Sequence, residues 1–144
     1  KKLEKFSNIP LFNKKASIKA EWTYHKTNNH PDYNIGIKES QRVLIKNMEK
    51  AYNLLKGKDI KMSLVVYPWP HQIQNDVVNS KHVNMWKEFC YKKCENFVNF
   101  FPFFFKEKEK SSFLEVYQKY FFWNDVHFNY SGNKVIAKKL LEIF

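Results

Sequence analysis

The chain has 144 residues, enough for one hydrophobic core and too few for two independent ones. With 44% hydrophobic, 27% charged and 18% aromatic residues, it is too apolar for intrinsic disorder and too charged for a membrane bundle. The three glycines, Gly36, Gly57 and Gly132, cannot assemble a phosphate-cradling loop, and the net charge of +11 comes from 24 lysines and a single arginine, Arg42. Arginine supplies the fork that reads phosphate and guanine, so this lysine surplus reads as a solvated face and nucleic acid is not the expected partner.

Residues 1–36 show no clear period and carry turn chemistry at Pro10, Asn28-Asn29 and His30-Pro31-Asp32; they form an expected loop-rich segment in which Trp22 and Tyr24 could be core anchors or cleft walls. No early apolar stretch resembles a signal peptide, and no window reaches the roughly 18 apolar residues of a spanning helix. Residues 37–144 carry the periodic pattern. A helix is predicted over Ser40 to Lys56, where Leu44, Met48, Ala51, Tyr52 and Leu55 share one face and Gly57 supplies the stop. Ile60 to Tyr67 then reads as a strand buried on both faces, ended by Pro68 and Pro70.

From Ser80, a good N-cap, a second helix is predicted to about Phe101, with Pro102 ending it and Phe103 to Phe105 forming a second short buried strand. Trp86, Phe97, Phe101 and Phe121 fall on apolar stripes and are assigned to the core. Lys106 to Lys110 reads as a solvated turn. Ser112 and Glu115 have capping-box spacing for a third helix through Phe121, and a last helix runs from about Ser131 to Ile143. Helix, strand, helix, strand, helix is the alternation of an α/β layered fold. Two strands leave most of a sheet's edge open, so either the first 36 residues add strands or the chain is the C-terminal part of a longer domain.

Cys90 and Cys94 are the only cysteines and fall one turn apart in the predicted second helix, where a bridge would close almost no loop; reduced core thiols are expected. His25 and His30 read as ordinary loop histidines and His71 as an exposed loop residue. No acidic or cysteine cluster converges with them in sequence, so no metal and no cofactor is expected.

The segment with the most chemistry is Trp123-Asn124-Asp125-Val126-His127-Phe128-Asn129-Tyr130-Ser131-Gly132, an acid and a histidine in a loop that enters the terminal helix. Gly132, on that helix's first turn, would let it approach its neighbours closely. The stretch resembles the last sequence block of the SGNH, or GDSL-type, hydrolases, with the pattern Asp-x-x-His-x-x-x-x-Gly-x-x-x-x-Ala; His127, Gly132 and Ala137 match its spacing. Three residues before His127 stands Asn124, which carries no charge, while Asp125 lies two before it, a spacing found among relatives similar to polysaccharide O-acetyltransferases. Val65-Val66-Tyr67-Pro68-Trp69-Pro70-His71 also resembles a late central strand of that fold running into a Pro-containing loop.

The resemblance covers about residues 37–144 and implies a three-layer, flavodoxin-like α/β/α domain with a short parallel sheet, acting as a serine esterase or acyltransferase. His127 would be the general base and Asp125, or less suitably Asn124, its orienting partner; the substrate would be an ester, such as an acetyl group on a carbohydrate. The nucleophile would follow a Gly-Asp pair, which none of Ser7, Ser17, Ser40, Ser63, Ser80, Ser111, Ser112 and Ser131 does, so the missing N-terminal half of the domain is expected to supply it. The competing reading is a non-catalytic, basic and aromatic-rich interaction domain whose stripes meet a protein partner or, with stacking aromatics, nucleic acid.

Overall fold

The computed structural model describes residues 21–24 and 35–144. His25, His30 and most of the N-terminal segment therefore lie outside the described residues. A short 3-10 turn, Glu21–Thr23, is followed by α1 (Ile37–Lys56), β1 (Ser63–Val66), α2 (Pro70–Asn75), α3 (Lys81–Cys90), β2 (Asn96–Asn99), α4 (Phe101–Lys110), α5 (Phe113–Tyr120) and α6 (Tyr130–Leu141). The described chain is mixed α/β, mostly helical, with one parallel pair of strands in the register Ser63↔Asn96 to Val66↔Asn99. Among the described residues β1 pairs only with β2. No described helix is long and apolar enough to cross a membrane.

Side chains alternate across the pleat, so neighbours along each strand face opposite sides. Val65 and Val98 pack toward Ile73, Phe104, Val116, Tyr117 and Phe121, whereas Leu64, Val66 and Phe97 pack toward Val83, Trp86, Phe101 and Phe105. Both faces of this short sheet are thus covered, as the apolar run at β1 led one to expect.

Three elements depart from expectation. The second helix stops at Cys90: Tyr91 to Lys93 form a turn with Lys92 at φ 60°, and Asn96–Asn99 becomes the second strand. The Phe-rich stretch is helix α4, not a strand, and Lys106 to Lys110 is its last part rather than a turn. Pro102 lies in the first turn of α4, where a missing N–H breaks no bond, and the Asn99 side chain accepts the Phe101 N–H at 3.0 Å. Phe101 with Phe105, and Phe100 with Phe104, then fall one turn apart on buried faces. Cys90 and Cys94 form a disulfide rather than staying reduced, because the chain leaves the helix at Cys90 and the turn returns Cys94 to a Cα–Cα distance of 4.8 Å.

The stop of α1 also differs. Gly57 has ordinary helical angles, and the left-handed residue is Asp59 at φ 55°. Ile60 N–H donates to the Leu55 carbonyl and Asp59 N–H to that of Lys56, the paired bonds of a Schellman ending.

His71 is half-buried on α2 instead of exposed in a loop, and burial pushes it down to about 4. His82 on α3 is pushed down to about 4 by the same cause; its Nδ1 lies 3.2 Å from the Gln72 amide nitrogen, so it accepts there as the neutral ring. Gln72 in turn accepts the Trp69 N–H and reaches the buried Thr23 hydroxyl, tying the 3-10 turn to the Pro loop, and Trp22 packs on the His82 ring. Both histidines take up a proton near pH 6.5 when unfolded and only near 4 when folded. Stability is therefore expected to fall as pH drops from 6.5 to 4, by up to about 1.4 kcal/mol per pH unit for each fully linked proton. Urea unfolding over this range should give a slope markedly reduced in His82→Gln; an unchanged slope would show that His82 charges freely in the fold.

Candidate active site

The candidate residues sit between α5 and α6. Ser112 caps α5 by accepting the Glu115 N–H at 3.2 Å, and the chain leaves α5 at Phe121, which forms an antiparallel bridge with Phe128. Phe122 N–H donates to the His127 carbonyl at 3.0 Å, so residues 122–127 form a closed loop. Its turn is made at Trp123 and Asn124, with Asp125 N–H returning to the Phe122 carbonyl at 3.1 Å. Asn124 has φ 59°, a left-handed conformation that asparagine adopts more readily than most residues.

Asp125 Oδ1 lies 2.7 Å from His127 Nδ1. The same oxygen accepts the Val126 N–H at 2.6 Å and the His127 N–H at 3.3 Å. The His127 ring, then the Val126 amide, hold the Asp125 carboxyl below the usual range, so it is ionised at neutral pH and can only accept; Nδ1 must carry the proton. The His127 side chain is 78% exposed and that of Asp125 48%. With Nδ1 engaged, Nε2 is the nitrogen left to take a proton from a substrate or nucleophile. Asn124, three residues before His127, makes the turn, and the carboxylate of Asp125 beside it meets the ring.

The segment after His127 is firmly anchored. Phe128 stacks on Phe104 with ring centroids 5.5 Å apart and lies 4.7 Å from Phe121. Its ring is also 5.1 Å from Tyr67, the residue just past the carboxyl end of β1. The histidine loop therefore stands at the end of the strands where α/β sheets hold their ligands. Asn129 caps α6 by accepting the Gly132 N–H at 3.1 Å, while its amide donates to the Lys119 and Phe121 carbonyls, both at 3.1 Å. A Cβ on Gly132 would overlap the Tyr120 carbonyl oxygen and fall 2.8 Å from Phe128 Cδ1, so only glycine lets the helix start this close.

Two contributors were not legible in the sequence. Asn129 reads as one more polar residue before a helix, although Asn just ahead of a helical segment is a usable cap signal. Tyr117 reads as a core aromatic of α5; it is 1% exposed, yet its hydroxyl meets the loop backbone, and burial raises its pKa so that it remains protonated. The only available hint was a polar tip on an otherwise apolar helix face.

Among the described residues no serine hydroxyl bonds to His127, and no three His, Cys, Asp or Glu side chains converge as a metal site. A cavity of about 620 Å³ opens at the carboxyl end of β2, lined by Phe103, Tyr120, Val135 and Lys138 among others, without His127. Compared with protein-family models, with curated proteins and with solved structures, the chain matches nothing.

Proposed function

We propose that this chain is the histidine-bearing part of an SGNH-like serine esterase or acyltransferase, with His127 as general base and Asp125 as its orienting carboxylate. The observation that carries this reading is the 2.7 Å contact between Asp125 Oδ1 and His127 Nδ1 on an exposed loop at the carboxyl end of β1. In the reaction, Nε2 would take the proton of a serine hydroxyl as it attacks the ester carbonyl and return it to the leaving alcohol. Asp125 would hold the Nδ1–H tautomer and stabilise the imidazolium that forms. The hydroxyl would come from sequence outside these residues, and that sequence would extend the sheet beyond β1 into a three-layer α/β/α domain. Burial of β1 and β2 on both faces is what supports the layered arrangement. An acyl group on a carbohydrate is the substrate class, taken from the family resemblance.

The test is intact-mass analysis of the full-length protein after exposure to a fluorophosphonate, which phosphonylates an activated serine oxygen with loss of fluoride. One adduct is expected, and at least a hundredfold slower labelling in His127→Ala, of the order supplied by general-base catalysis (about 10²–10⁴-fold). No adduct, or equal labelling rates, would contradict the reading.

A second reading has one observation in its favour. Phe122, Trp123 and Tyr130 are all exposed around the loop, a placement equally suited to a protein partner on a surface with no chemistry. In that case His127→Ala would alter binding without altering any labelling.

A further inference from the structure

The loop that presents Asp125 has few apolar contacts of its own at its tip: Trp123 and Phe122 are exposed, and Asp125 lies outside the core. Yet the dyad needs the carboxylate held within a few tenths of an ångström of Nδ1. The group that reaches the loop from inside is the hydroxyl of Tyr117, on the last turns of α5. It lies 2.7 Å from the Phe122 carbonyl oxygen and 2.9 Å from that of Asp125, and it accepts the Asp125 N–H at 2.9 Å. One buried hydroxyl thus joins both ends of the Trp123-Asn124 turn. The Tyr117 ring stacks beside those of Phe113 and Phe121, at centroid distances of 6.0 and 5.8 Å, and belongs to the cluster of Phe104, Val116 and Phe121, so the ring is anchored in the core, while Trp123 of the loop meets it tilted at 5.7 Å.

We propose that Tyr117 is a positioning residue for the dyad: its hydroxyl sets the turn and, through the backbone of Asp125, aims the carboxylate at His127 Nδ1. Asp125 needs this support because its own side-chain bonds go to Val126 and His127, its next two neighbours along the chain. Those bonds fix the carboxylate relative to the residues after it, while Tyr117 fixes it relative to α5. The inference rests on the pairing proposed above, but its readout senses the ring and not the turnover of an ester, so the two can fail separately.

A neutral imidazole without a partner favours the proton on Nε2; a carboxylate at Nδ1 reverses that preference. The tautomer ratio of His127 at a pH where the ring is neutral can be read from long-range ¹H–¹⁵N correlations in the full-length chain, with the signal assigned by its loss in His127→Asn. The wild type should hold mostly the Nδ1–H form. Tyr117→Phe, which keeps the ring and removes only the hydroxyl, should lower the ratio of Nδ1–H to Nε2–H by about threefold or more, toward the value in Asp125→Asn, in line with loss of a hydrogen-bond network. Val116→Ala, a buried truncation on the same helix, should leave the ratio at the wild-type value. A wild-type ratio in folded Tyr117→Phe, or an equal shift in Val116→Ala, would overturn the proposal. Should Tyr117→Phe fail to fold, the wild-type Tyr117 hydroxyl proton decides: a slowly exchanging resonance close to the Phe122 and Asp125 backbone is expected, and a hydroxyl in fast exchange with water would overturn the assignment.

Discussion

Gly132→Ala is expected to lower the stability of the chain by about 2 kcal/mol net, even though alanine is the better helix former. Within a helix the exchange favours alanine by about 1 kcal/mol. Here the added methyl meets the Tyr120 carbonyl oxygen, a backbone atom at the end of α5, and the Phe128 ring, which is already stacked against Phe104 and Phe121. Neither neighbour can step aside without moving α5 or opening the core, so the overpacking penalty of about 3 kcal/mol outweighs the propensity gain. Thermal unfolding should show Tm lower by roughly 6 °C. Gly57→Ala is the contrast: Gly57 has helical angles and its added methyl would meet the Asn53 oxygen at 3.3 Å, so the change should be close to neutral. A Gly132→Ala protein as stable as the parent would mean that α6 is free to shift away from α5, and the loop between them would then not be held as described.

The second large effect concerns the acid. In the full-length protein, Asp125→Asn should lower kcat for an aryl acetate by about 10²–10⁴-fold while leaving Tm nearly unchanged. Both partners are exposed, and exposed ion pairs contribute little to folding, so the expected loss lies in the reaction. An amide at this position can offer its nitrogen to the ring and so favour the tautomer with the proton on Nε2, which cannot act as base. Asn124→Gly, by contrast, relieves a left-handed residue and leaves the carboxylate in place, so activity should be retained. If Asn124→Gly were as damaging as Asp125→Asn, the identity of the acid would need revision.

Much of this arrangement is written in short-range signals. α1, α5 and α6 announce themselves by apolar spacing and by Ser112 and Gly132, and β1 by an apolar run between a helix ending and two prolines. The spacing of His127, Gly132 and Ala137 marks the loop. The Phe-rich middle is harder, because six phenylalanines between Phe97 and Phe105 are broken by a single polar residue, Asn99, too little to set a phase, and Pro102 suits the start of a helix as well as the end of one. Reading the proline as a stop exchanged the helix and the strand, and it also carried Cys94 onto a helix that ends four residues earlier, which hid the disulfide. Tyr117 and Asn129 stay hidden for another reason. Their partners are backbone groups, which have no sequence signature, and only the folded loop shows that a core aromatic and a cap residue bond to the backbone on either side of Asp125 and His127.

The decisive measurement is hydrolysis of 4-nitrophenyl acetate by the full-length protein, compared between wild type and His127→Ala at equal folded concentration. Saturable turnover in the wild type and a fall in kcat/KM of at least about 10³-fold in the variant are expected if Nε2 of His127 takes the proton of the attacking serine. Wild-type turnover no faster than buffer, or equal rates in the two proteins, would contradict it.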